Sequence, residues 1–227
     1  MNSRTLAIGD IHGCFRSLDA LERAVGMSPH DRVITLGDYV DRGPDSKRVL
    51  QWLLRRKESG DLVPIRGNHE LMLLSAMHSQ PHLEQWLASG GDAVLESYDV
   101  GHPSELPPEH VLFLERRLRS NFRTETHFFV HANAYADIPI AEQPDYMLYW
   151  ESFGDPTPHE SGKIMVCGHT PQRSGVPKSV GHAICLDTWA CGKGWLTCLD
   201  VDAGYCWQAN ERGETRTFWL DQGPEAS

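Results

Sequence analysis

The sequence predicts an α/β fold, read as a single domain over residues 1–227. Three observations lead there: short apolar runs alternate with longer stretches, apolar residues within those stretches recur at helical spacing, and the segment after His182 turns β-rich. In chain order, residues 6–8 form a first strand, and Phe15, Leu18, Leu21 and Val25 mark one face of a helix that Gly26 is placed to end. Residues 33–36 give the next strand. Leu50, Leu53 and Leu54 mark a second helix that stops near Gly60, and residues 62–65 follow as a third strand. A third helix begins around His69 and carries residues 71–77. A fourth follows "PPE", where proline suits a first turn, and carries Val111, Leu114 and Leu118. Strands at 128–130 and 164–166 enclose a proline-rich loop from "ADIPIAEQPDY" to "FGDPTPHESG". The runs "HAICLD", "WLTCLDV", "YCWQAN" and "TRTFWL" then read as strands added to a second sheet. No linker-like stretch precedes them, so they belong to the same domain.

Composition narrows the function. A chain of 227 residues suffices for one well-buried core. Its formal net charge of −10 argues against a surface built to neutralise nucleic-acid phosphates or to dock on anionic lipid. Neither nucleic acid nor membrane is therefore an expected partner. The apolar run at the amino terminus is too short for a signal-peptide core, and no segment approaches a membrane span, so a cytoplasmic location is expected. Six cysteines form no CxxC pair, which leaves a zinc knuckle or dithiol redox motif without support and makes reduced, mostly buried thiols the expectation.

Chemistry gathers where the strands end. The first strand runs into "GDIHG" (Asp10, His12), the second into "GDYVDRG" (Asp38, Asp41, Arg42), the third into "RGNHE" (Asn68, His69, Glu70), the fourth into "VHAN" (His131) and the fifth into "CGHT" (His169). One Asp or Asn beyond a strand is usually a turn former or cap that satisfies nearby amides. Five strand ends carrying such residues at once would need five coincidences. Carboxyl ends of parallel strands meet at one edge, so these side chains are expected to meet too. Oxygen and imidazole ligands without thiolate suit manganese, iron(II) or zinc, and their number suffices for two ions. Two divalent ions acidify a bridging water and neutralise a transferring phosphoryl group, and the pair needs a shared carboxylate, for which Asp38 is the choice.

"GDIHG", "GDYVDRG" and "GNHE", in this order and spacing and followed by "VHA" and "GHTP", resemble the signatures of the phosphoprotein phosphatase family of metallophosphoesterases. The short bacterial and phage-type serine/threonine phosphatases are the nearest in pattern, and the resemblance spans roughly residues 5–202. It implies a β-sandwich of two mixed sheets flanked by helices, in four αββα layers. It implies one ion held by Asp10, His12 and Asp38, and a second held by Asp38, Asn68, His131 and His169, with manganese expected and iron or zinc as alternatives. It further implies His69 as the general acid, Asp41 as the group that keeps His69 charged, and Arg42, with Asn68, on the phosphate. The substrate class so implied is a phosphorylated protein or a small phosphoester.

The chain also departs from that pattern. Phage-type members carry a second phosphate-binding arginine in a "W-x-R" stretch; here "YWESF" puts Ser152 at that place, and no arginine lies between His131 and His169. Arg173 and Lys163 are candidate replacements. Trp189 stands where a glycine is expected after "DT". The runner-up function is symmetrical hydrolysis of diadenosine tetraphosphate, whose enzymes share the ligands but usually read "GNHD" and lack the second aspartate before "RG"; Glu70 and Asp41 favour the phosphatase. An inactive binding scaffold is the third reading, disfavoured because every ligand position is filled.

Overall fold

The computed structural model describes residues 3–224. Among the described residues, eleven strands form two sheets. The first sheet contains the parallel strands β1 (Thr5–Ile8), β2 (Arg32–Thr35) and β3 (Asp61–Pro64). It is extended from β1 by the antiparallel strands β9 (Leu196–Asp200), β10 (Tyr205–Ala209) and β11 (Thr215–Trp219). In the second sheet β5 (His127–Val130), β6 (Ile164–Cys167) and β8 (Ala183–Cys185) run parallel, edged by antiparallel β4 (Asn121–Arg123) and β7 (Lys178–Ser179). The expected pair of mixed sheets is therefore present, with a correction to the tail. Only "HAICLD" joins the second sheet, whereas the last three runs extend the first, β9 pairing with β1, β10 with β9 and β11 with β10. Ile8 faces Cys198 across that seam, so buried residues of both strands complete one apolar surface.

Side-chain alternation sets the layers. Leu6, Ile8 and Val33 point to an outer core with the helices, while Ala7, Ile34 and Leu36 point inward to meet Phe129, Val166 and Ile184 of the second sheet. Phe128 and Val130 pack on the far side with Leu148 and Phe153. This period of two is what lets a strand be buried on both faces. Helix α1 (Phe15–Val25) ends at Gly26 in a left-handed conformation, as its sequence predicts. Helix α2 (Ser46–Ser59) stops at an extended Gly60 and feeds β3 at once.

Helix α3 (Asn68–Ala76) starts directly after β3, and α4 (Gln80–Trp86) and α5 (Asp92–Tyr98) follow, joined by a wide turn over Leu87–Gly91. The helix after "PPE" is α6 (Pro108–Arg116), which ends short of the expected Leu118. Within the proline-rich loop lies one short helix, α7 (Asp145–Tyr149). Five of the cysteines are buried and Cys191 is half-buried, all as thiols. No helix among the described residues is long and apolar enough to cross a membrane.

Candidate metal centre and active site

The five ligand-bearing strand ends are divided between the sheets, three in the first and two in the second, yet they face one cleft. Two groups of side chains converge there: His12, Asp38 and His69, and Asp38, His131 and His169, with donor atoms in each group within 4.8 Å of one another. Asp38 belongs to both. Its Oδ2 lies 3.4 Å from His12 Nε2 and its Oδ1 3.4 Å from His131 Nε2. Burial works against that charge, but the four surrounding histidines hold the Asp38 carboxyl well below the ordinary range.

Backbone carbonyls fix the imidazoles. His12 Nδ1–H donates to the Val40 carbonyl at 2.9 Å and His131 Nδ1–H to the Leu36 carbonyl at 2.8 Å, which leaves each Nε2 lone pair aimed at Asp38. His169 is turned the other way: its Nε2–H donates to the Trp150 carbonyl at 3.2 Å, and Nδ1 faces Asn68 Oδ1 at 3.2 Å. Asn68 Oδ1 also lies 3.0 Å from His131 Nε2. Lone pairs and amide oxygens thus point at each other, an arrangement that a cation between them satisfies. Asp10 agrees with this. Its Oδ2 accepts from the His169 amide at 2.9 Å, while Oδ1 is buried and has no hydrogen-bond partner among the described residues. The donor set therefore fits divalent metal.

The histidines divide by charge. Burial lowers His12 to about 3 and His131 to about 4, and lowers His169 as well, which keeps these three neutral. Burial also acts on His69, but the charge of Asp38 and the hydrogen bond to Asp41 overcome it and raise its pKa. His69 Nδ1 lies 2.5 Å from Asp41 Oδ2, and the buried Trp86 indole donates to Asp41 Oδ1 at 2.9 Å. Arg42 Nη1 donates to His12 Nε2 at 2.9 Å.

Local backbone geometry explains how so many groups fit. His12, Asp38, Asp41, Arg42 and His169 all have left-handed φ, between 44° and 71°, a region that costs an L-residue roughly 1–2 kcal/mol each. Strain of this kind persists only where packing over-determines it. Part of that packing is glycine. A Cβ on Gly67 would lie 2.1 Å from Asp38 Oδ1, and one on Gly168 would lie 1.9 Å from Asp10 Oδ1. Glu70 supplies the rest: its carboxylate accepts from the amides of Gly67, Asp38 and Tyr39 at 2.7–3.0 Å, which ties α3 to the turn after β2.

All nine sequence-predicted site residues come together. Glu70 enters the sequence reading as one of the polar residues at the third strand end, but its carboxylate is taken up by three backbone amides; Trp86 and the buried Asp187, whose carboxyl burial pushes up to about 6, have no role in it. The signal for Glu70 was its place in "GNHE". Asp187 belongs to the "DT" pair that the sequence reading uses only to place Trp189, and Trp86 lies in a helix to which that reading gives no catalytic role. Of the candidate replacement cations, Lys163 is excluded. It precedes β6, at the end of that strand opposite His169, and its ammonium donates to the Thr124 and Glu125 carbonyls. Arg173 stacks its guanidinium 5.1 Å from the Trp189 ring centroid. Ser152 is exposed, and its carbonyl accepts from Asn133.

Comparison with known proteins follows the same lines. Serine/threonine-protein phosphatase 1 of Salmonella typhimurium is 35% identical over 135 residues, 59% of each chain. A symmetrical bis(5'-nucleosyl)-tetraphosphatase of Pseudomonas putida is 40% identical over 82 residues, 36% of this chain and 28% of that protein. The chain thus spans well under two-thirds of the curated relatives it matches first. Among solved structures, a protein serine/threonine phosphatase from Saccharomyces cerevisiae superposes with a TM-score of 0.59 at 18% identity, over 99% of this chain and 80% of that one. The calcineurin-like phosphoesterase profile matches residues 3–202, and the chain belongs to that family of hydrolases.

Proposed function

We propose that the protein is a phosphomonoesterase that acts on phosphoserine and phosphothreonine in proteins, and on aryl phosphates. The observation that carries this reading is the contrast among the histidines: burial lowers the pKa of three, with the free nitrogens of His12 and His131 aimed at Asp38 and that of His169 at Asn68, whereas the charge of Asp38 and the hydrogen bond to Asp41 raise that of His69. The family works with a pair of divalent metal ions, and when bound they supply an acidified water and offset the charge of the phosphate. Asp10, His12 and Asp38 hold one ion, and Asp38, Asn68, His131 and His169 hold the other, with manganese as the metal. His69 Nε2–H protonates the leaving alkoxide as the P–O bond breaks. Arg42 swings from His12 onto two phosphate oxygens, and Asn68 adds a donor.

A second reading, hydrolysis of diadenosine tetraphosphate, has the tetraphosphatase similarity in its favour. Asp41 and Glu70 favour the phosphatase, because the Asp41–His69 pair serves a poor leaving group. One experiment separates them: metal-stripped protein reloaded with Mn²⁺, Fe²⁺ or Zn²⁺ singly, then assayed on phosphoserine peptides, phosphothreonine peptides and diadenosine tetraphosphate. The expected result is turnover of the peptides with Mn²⁺. Turnover confined to the dinucleotide overturns the proposal.

A further inference from the structure

A cavity of about 320 Å³ opens beside Arg42, between the "RGP" turn and the closing segment after β8. Arg42, Pro44, Cys191, Lys193, Asn210 and Arg212 are among its walls. The charges here are not all alike. Arg212 is paired with Glu214 at 2.7 Å, and Asn210 Nδ2 donates to the same carboxylate. Glu211 is engaged by the amide and hydroxyl of Ser17, both at 2.9 Å. Lys193 has no hydrogen-bond or ion-pair partner among the described residues.

Lys193 is also held in place. It is exposed, with φ 79°, in a loop where Gly192 and Gly194 both donate to the Trp189 carbonyl at 3.0 Å. A Cβ on Gly192 would lie 2.0 Å from the Trp189 indole, and one on Gly194 2.2 Å from the Thr188 carbonyl, so the loop is pressed against its base on both sides of the lysine. A lysine kept left-handed between two glycines is strained where a third glycine would not be. The result is a second cation, on a backbone held in place, at the wall of a cavity that Arg42 also lines, in a chain of net charge −10.

We propose that this cavity is an anion subsite, centred on Lys193, that takes a second negative group of the substrate: the carboxylate of an acidic side chain flanking the phosphorylated residue. The inference rests on the phosphoprotein reading above.

The test is kinetic. The Mn²⁺ enzyme is assayed on phosphoserine peptides that carry flanking Glu or flanking Gln, with wild type, Lys193→Gln and Lys193→Gly, and with p-nitrophenyl phosphate as the control. Wild type is expected to prefer the Glu peptide about tenfold in kcat/KM, all of it in KM. Both variants should lose that preference with unchanged p-nitrophenyl phosphate turnover. Lys193→Gly relieves the backbone strain, so a folding defect does not mask the outcome. Peptides hydrolysed with no preference, or with one that survives in both variants, overturn the subsite and leave the proposed function standing. Diadenosine tetraphosphate hydrolysed with no peptide turnover overturns both.

Discussion

At the scale of single residues, the site sets chemically identical side chains apart by what their ring nitrogens meet. His69 differs from His12 and His131 because its ring nitrogen meets a carboxylate instead of a backbone carbonyl. His69→Asn is expected to keep bound metal and fold while lowering kcat by ~10²–10⁴ for an alkyl phosphate. The loss should be smaller for p-nitrophenyl phosphate, whose leaving group needs no proton; equal losses on both, with metal content measured in parallel, would rule out the acid role. A second residue-scale expectation lies far from the chemistry. Arg4 and Ser28 hydrogen bond the Asp31 carboxylate, and the Arg4 guanidinium holds it well below the usual range. A depressed folded-state pKa contributes stability above the unfolded value, near 4, that is lost as pH falls below it. Asp31→Asn should therefore cost about 1–2 kcal/mol at pH 7 in urea unfolding, with the gap to wild type closing below about pH 4.

At the scale of elements, what was legible in the sequence was whatever rests on local pattern. The strand ends, the "GDIHG", "GDYVDRG" and "GNHE" turns and the Gly26 helix stop are set within a few residues, and each stands where the sequence puts it. The destination of the tail strands was not legible, because apolar alternation makes Leu196–Asp200 a strand without naming its partner. Likewise Trp86 reaches Asp41 across 45 positions of chain, a contact no periodicity encodes. Helix α3 shows how one element serves both fold and site. Its Glu70 closes three buried amides of two different turns, and burial with the nearby Asp38 charge pushes its carboxyl up to about 7. In Glu70→Gln an NH₂ group faces a buried N–H, which is expected to cost about 1–3 kcal/mol in chemical denaturation and to loosen Asp38 as well.

At the scale of the molecule, the centre joins two sheets whose facing surfaces pack mainly through apolar side chains such as Ile34, Leu36, Phe129 and Val166. Asp38 and Asn68 come from the first sheet, His131 and His169 from the second. An ion bound at a hundred times its dissociation constant stabilises by about 2.7 kcal/mol, which for a chain of this size is roughly 5–10 °C in Tm. Mn²⁺ should raise Tm by that order. Asp38→Asn should abolish the rise along with activity, and metal analysis of the purified variant should show at least one ion missing. Two ions retained with near-normal turnover would refute the bridging assignment. Because the ligands ride on separate layers, anything that lets the layers drift apart, such as an inter-sheet side chain trimmed well away from the cleft, weakens the hold on metal before it unfolds the chain. A cell carrying such a variant would show a nutritional phenotype: normal phosphatase output when manganese is plentiful, and failure when it is scarce.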